Sequence, residues 1–275
     1  MGERLVWIQR LVALWSLIWL VVRAPFIVSL GNLPAHRWHP LGVFAPLDQP
    51  PSSAVAVAVL VASAALAVVV LVGRGPRAVV PVWSIGVLLT TTWASSWGHL
   101  FHTEHLLAVH ALILGAAALP RRIDPAFVVK AMAVATVTTY VVAGVAKLRG
   151  SGGEWVNGDV LREQVAFDNL RKAVIGSGTA PVGTRLVEQS WLWRPLALGS
   201  LAIELGAPIA LINRRLAIGW VAAAWCFHVG IVILMAIAFP YPLSLVAYAP
   251  LLPLEDVAAW VRAGRRRPEP VPAVA

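Results

Sequence analysis

The stretch AVAVAVLVASAALAVVVLVG, residues 54 to 73, holds no charged side chain over 20 positions. A helix of about 20 residues, rising roughly 1.5 Å per residue, crosses the hydrocarbon of a bilayer. Lipid offers the backbone no hydrogen-bond partners, so such a run must satisfy its own polar groups as helix. Its Ala and Val content is what close helix packing in lipid favours, and no internal repeat is read from it. Similar apolar runs recur throughout the 275-residue chain, which is 59% hydrophobic and 13% charged, and no polar block large enough to fold apart remains between them.

Hydropathy predicts helices near 5–28, 54–73, 78–98, 104–119, 126–148, 195–212, 216–238 and 241–254. The expected fold is all-α: a polytopic transmembrane helical bundle of about eight membrane helices, the fourth and eighth short for spanning. One membrane domain is expected over 1–256, with 149–194 as its sizeable extra-membrane segment and 257–275 as a basic, disordered cytoplasmic tail. The first apolar run exceeds a signal-peptide core and lacks a small-residue cleavage site, so it reads as a retained helix.

The net charge of +9 comes from pairs and short runs of basic residues between apolar segments. Arg74 and Arg77, Arg121 and Arg122, Arg214 and Arg215, and RAGRRR at 262–267 fall in alternate gaps. The positive-inside rule then puts both termini in the cytoplasm of a multi-pass protein of the cell membrane. Membrane lipids, not nucleic acid, are the partners this charge pattern implies. Cys226 is the single cysteine, so neither a disulfide nor a cysteine zinc site is expected.

The unusual polar residues gather on the other side. YVVAGVAKLRGSGGEWVNG, residues 140–158, places Lys147 near the end of an apolar helix, before a Gly-rich turn. One reading is a lysine snorkelling to the interface. The other is a desolvated amine able to act as a base. Glu204 and His228 are ionisable groups inside apolar segments, where such residues face the bundle interior and find partners, and an interhelical bond between the two is conceivable. His99, His102 and His105, with Glu104, repeat at a spacing that suits an interfacial polar cluster as well as a metal site, and no metal is assigned. Trp7, Trp15, Trp19, Trp38, Trp93, Trp97, Trp191 and Trp193 flank the predicted spans and read as an aromatic belt.

YVVAGVAKL followed by the Trp and Gly of EWVNG resembles the signature of the vitamin K-dependent gamma-carboxylase superfamily, also called the HTTM family. FHVGIVILMAIAFPYPLSLVAYAPL resembles that family's later series, HLFHTEHLLAVHALIL its histidine before a short helix, and Arg10 its arginine early in helix one. The resemblance covers roughly residues 5–254. It implies that Lys147 is the catalytic base, with His102, or less readily His105, and His228 beside it. Tyr140, Gly144, Trp155, Gly158, Glu204, Phe239, Pro240 and Tyr241 would form the substrate and cofactor pocket. It further implies a reduced quinone, menaquinol or vitamin K hydroquinone, with carbon dioxide and oxygen as cosubstrates. The activity would be that of a carbon–carbon lyase or quinol-linked oxidase acting on a secreted peptide or protein. The alternative is a non-catalytic membrane protein that assists maturation or export of a secreted peptide, favoured by the Gly-rich link before Trp155 and the short stretch after the last apolar segment.

Overall fold

The computed structural model describes residues 2–99, 103–120 and 122–256, so His102, Arg121 and the tail 257–275 lie outside the described residues. The helices are α1 (Glu3–Leu30), α2 (Ser53–Val72), α3 (Val79–Ser95), α4 (His105–Ala118), α5 (Pro125–Asn157), α6 (Asp159–Val174), α7 (Pro181–Leu186), α8 (Ser190–Leu205), α9 (Arg214–Met235) and α10 (Pro240–Leu243). No strand occurs among the described residues. Five helical stretches are long and apolar enough to cross a membrane, namely α1, α2, α5, α8 with the 3-10 turn Ala207–Leu211, and α9, while α3 and α4 are shorter apolar helices.

Local signals set the helix ends. Ser52 accepts from the Val55 amide ahead of α2, and Gly73 closes that helix in the left-handed region at φ 73°. Asp124 caps α5 with Pro125 in its first turn, and Asn213 caps α9 through the Leu216 amide. Each cap satisfies an amide that the first turn leaves unpaired. Outward-facing valines such as Val55, Val61, Val68 and Val72 leave α2 apolar on its exposed side, as a lipid-facing helix requires.

Two cores form. Helices α1 to α4 pack through Ile8, Val12, Leu20, Trp83 and Leu107, and α5 packs with α9 and the turn after α8 through Val137, Ala210, Trp220 and Ala224. The chain between α9 and Asp256 seams them: Tyr241, Ala247 and Ala249 enter the first core, and Tyr248 and Leu251 the second.

That seam departs from expectation. In place of a continuous helix over 241–254 there are one turn, α10, and the 3-10 turn Val246–Tyr248, with Ala236 and Leu245 at positive φ. It starts where Lys172 donates to the Met235 and Ala236 carbonyls, and it ends where Arg4 donates to the Pro250 and Leu252 carbonyls and Arg214 pairs with Asp256. The strap thus runs the length of α9 back to the end that holds the start of α1, called here the near end. Irregular backbone persists at such depth only where protein encloses it and side chains satisfy its carbonyls.

One helix boundary and one helix face also differ. The fifth helix, expected to end at 148, continues through the Gly-rich stretch to Asn157 and breaks only at Gly152, which has φ 53° and ψ −127°. In α6 the apolar residues Val160, Leu161, Val165, Phe167 and Leu170 do not share one inward face. Val165 is buried and Val160 and Leu161 pack with Trp155 and Ala197, whereas Phe167 and Leu170 are exposed. The inward face instead carries Asp168, Asn169 and Lys172: Asn169 donates to the Leu234 carbonyl and Lys172 to the Met235 and Ala236 carbonyls, which the end of α9 leaves without partners, while Asp168 pairs with Lys172. Burial alone would push the Asp168 carboxyl up, but the hydrogen bonds and charges of Lys172 and Arg171 outweigh it and hold it below its ordinary range.

The aromatic belt holds in part. Trp7 and Trp191 are exposed, but Trp19, Trp38, Trp93, Trp97 and Trp193 are buried, and Trp97 packs edge to face with Trp38 and Trp93, which meet each other at a tilt, with ring centroids 5.2 to 5.5 Å apart.

Candidate functional site

Lys147 and Glu204 meet between α5 and α8. Gly144 permits the approach: a Cβ there would lie 2.8 Å from Leu205 Cδ2 and 3.0 Å from Glu204 Cβ. The Lys147 Nζ donates to Glu204 Oε1 at 2.6 Å, with the lysine side chain 21% exposed and the glutamate side chain 4%. The amine also lies 4.8 Å from the Trp155 ring centroid and 5.3 Å from that of Phe227, so aromatic faces flank the charge.

Trp155 reaches this position because the break at Gly152 turns the last stretch of α5 back against α8, where the indole donates to Ser200 Oγ. Gly158 follows at φ 92°, and a Cβ there would lie 2.4 Å from the Trp193 carbonyl carbon, so both conformation and space demand glycine.

His228, on α9, borders the same region. Its Nε2 is 2.7 Å from the Tyr140 hydroxyl, which also makes a short hydrogen bond with the Tyr248 hydroxyl of the strap. Phe239 packs on the imidazole with ring centroids 5.0 Å apart, and Pro240 opens α10 beside it. His228 sits about 10 Å, at 1.5 Å per residue, from the end of α9 that Lys172 caps. The group therefore lies in the half of the bundle away from the near end.

Two polar atoms in this group are enclosed without a hydrogen-bond partner among the described residues: Glu204 Oε2 and His228 Nδ1. The bond conceived between Glu204 and His228 is accordingly not formed. Each bonds to α5 instead, Glu204 to Lys147 and His228 to Tyr140.

Of the residues singled out in the sequence, Lys147, Tyr140, Gly144, Trp155, Gly158, Glu204, His228, Phe239 and Pro240 contribute to this region. Tyr241 belongs to a second polar cluster: its hydroxyl is 2.8 Å from His110 Nδ1, His110 Nε2 is 3.1 Å from Thr136 Oγ1, and Thr136 donates to the Ala247 carbonyl. His102 lies outside the described residues, and His105 begins α4. Among the described residues no three His, Cys, Asp or Glu side chains converge as metal ligands. Glu104 instead accepts from the Trp19 indole at 3.2 Å.

Sequence reasoning passed over Tyr248, Phe227, His110 and Thr136. His110 carried the same signal as His228, an imidazole in mid-helix among apolar residues, and Tyr248 follows the Phe-Pro-Tyr stretch by only a few positions. Phe227 opens the quoted FHVGIVIL stretch beside His228 but was not singled out, and Thr136 carried no signal, being an ordinary residue of an apolar helix.

The chain matches no protein-family model, no curated protein and no solved structure.

Proposed function

We propose that the protein is an integral membrane enzyme resembling the vitamin K-dependent gamma-carboxylases, with Lys147 as base in a quinol-linked carboxylation or oxidation at the outer membrane face. The observation that carries this reading is the pair of enclosed, unpartnered polar atoms, Glu204 Oε2 and His228 Nδ1, beside an amine with one carboxylate bond and aromatic neighbours. Buried polar atoms are normally paired, so an unpaired one calls for an explanation, of which a catalytic role or a received ligand is one.

These residues fit a reduced quinone. Trp155, Phe227 and Phe239 offer ring faces, and Glu204 Oε2 accepts a hydroxyl proton, as does His228 Nδ1 in the tautomer with the proton on Nε2. A reduced quinone would supply electrons to oxygen. The chain's own part is to orient the ring and to receive a hydroxyl proton at the Lys147–Glu204 pair, whose enclosed Oε2 has no partner among the described residues. In that tautomer His228 Nε2 donates to the Tyr140 hydroxyl, which holds the imidazole in place.

In this reading the near end is cytoplasmic. Arg4, Arg74, Arg77, Arg122, Lys130 and Arg214 all line cavities there, as the positive-inside rule favours in the cell membrane. The strap then makes an eighth, irregular crossing, which returns the described chain to the cytoplasmic side. A secreted peptide or protein would reach the site from the outer side, past the partly exposed Lys147.

A second reading is favoured by the same ion pair. A lysine satisfied by a carboxylate at 2.6 Å is also a structural clamp between α5 and α8, which suits a non-catalytic factor in maturation or export of a secreted peptide. Oxidation of menaquinol and consumption of oxygen by protein in nanodiscs, for wild type, Lys147→Ala and Lys147→Arg, separates the two. The enzyme reading expects turnover in wild type and loss in both folded variants. Equal silence in all three, across a range of quinols, overturns it.

A further inference from the structure

At the near end a cavity of about 440 Å³ opens between the ends of α1, α2, α3 and α4 and the start of α5. Its volume falls within the roughly 300–1,000 Å³ of ligand sites. Its wall is apolar, formed by residues such as Leu5, Val70, Val80 and Leu114, while Arg74, Arg77 and Arg122 line it from the α2–α3 and α4–α5 connections. No acidic residue lines it among the described residues. Asp124, next along the chain, spends its carboxylate on the α5 cap. Behind the cavity, Arg10 extends its guanidinium to Gly73, with its Nη2 3.2 Å from where a Cβ on that glycine would sit, and its Nε is enclosed without a hydrogen-bond partner among the described residues.

A stripe of arginines lets a protein read its membrane surface, but scattered arginines would need no cavity. Here arginines from two connections line one apolar recess at the ends of the apolar helices. That arrangement matches an amphiphile with an anionic head and hydrocarbon tails. Arginine suits a phosphodiester because its planar fork can donate two parallel hydrogen bonds to phosphate oxygens.

We propose that this cavity is a binding site for an anionic phospholipid of the near-end leaflet, with Arg74, Arg77 and Arg122 on the phosphate-bearing head and the Val70, Val80 and Leu114 wall against its acyl chains. The site is separate from the Lys147 group and independent of which functional reading holds there. Its occupant would brace the α2–α3 and α4–α5 connections against one another.

The test is lipid-dependent thermal stability of the full chain in mild detergent, titrated with phosphatidylglycerol, phosphatidylcholine or inorganic phosphate. Phosphatidylglycerol is expected to raise Tm saturably, and the other two to leave it unchanged. Each of Arg74→Gln, Arg77→Gln and Arg122→Gln should weaken the phosphatidylglycerol response roughly fivefold, and the triple variant about a hundredfold. Lys130→Gln with Arg214→Gln, which removes two cations lining a different near-end cavity, should leave it intact. The proposal fails if phosphatidylcholine acts equally, if phosphate alone reproduces the shift, or if the Lys130 and Arg214 control loses as much as the cavity variants. Should the triple variant not fold, the three single variants decide: unchanged affinity in all of them overturns the site.

Discussion

Lys147 and Glu204, 57 positions apart, form a 2.6 Å ion pair between α5 and α8 in which the carboxylate is almost wholly enclosed. Removing one member leaves the other in apolar surroundings, a loss of roughly 3 kcal/mol for buried pairs. Glu204→Gln and Lys147→Met should each lower Tm, and the double variant should recover much of the loss. A double-mutant cycle by thermal unfolding in detergent would measure the coupling, and additive losses would show that the two side chains do not depend on one another.

Gly144→Ala tests the spacing that makes this pair. The added methyl would meet Leu205 and Glu204 Cβ at 3.0 Å or less, and overpacking of that kind costs about 1–3 kcal/mol. The expected result is a lower Tm and, on the enzyme reading, a fall in quinol oxidation larger than the stability loss explains. Leu205→Ala in the same background should restore part of both.

Stability should depend on pH through α6. The folded Asp168 carboxyl sits below its ordinary value, so its contribution is fully present above the unfolded carboxylate range and is lost as pH falls through the folded value. Wild type should therefore lose Tm on acidification below about pH 4, where an unfolded Asp titrates. Asp168→Asn should begin less stable at neutral pH and show a shallower acid limb. An equally steep limb in Asp168→Asn would assign the dependence to other groups.

The strap should loosen when its second polar cluster is cut. Tyr241→Phe leaves His110 Nδ1 without its partner, and an unsatisfied buried group costs about 1–3 kcal/mol. Hydrogen exchange over residues 236–256 should rise in Tyr241→Phe and in Thr136→Val, which removes the donor to the Ala247 carbonyl. Exchange unchanged from wild type in both would mean that packing of Tyr241 and Tyr248 alone holds the strap.

Much of the candidate site was legible in the sequence because charge is rare in apolar helices. Lys147, Glu204 and His228 stood out for that reason, and Tyr140, Gly144, Trp155 and Phe239 lay close to them in the chain or in the quoted motifs. Their pairing was not legible. Glu204 and His228 sit on consecutive spanning helices, yet each turns to α5, since Gly144 brings α8 within reach of Lys147 and Tyr140 points to α9. His110 and Tyr241 form a cluster of their own, because the strap carries Tyr241 into the α1–α4 core while Tyr248, seven positions on, enters the other.

The sequence by itself determined that the chain is helical and apolar enough for several membrane crossings, because local hydropathy and caps such as Ser52, Asp124 and Asn213 act within one turn. Only the tertiary structure decided the course of residues 236–256 and the direction in which α6 faces. An apolar run of 14 residues, as at 241–254, can be a helix or a strap. The choice fell to partners far away in the chain: Arg4, His110 and Thr136 satisfy the strap, and the uncapped carbonyls of α9 turn Lys172 and Asn169 inward. Backbone groups at membrane depth accept whatever donor the fold brings to them, and no local pattern records which one that will be.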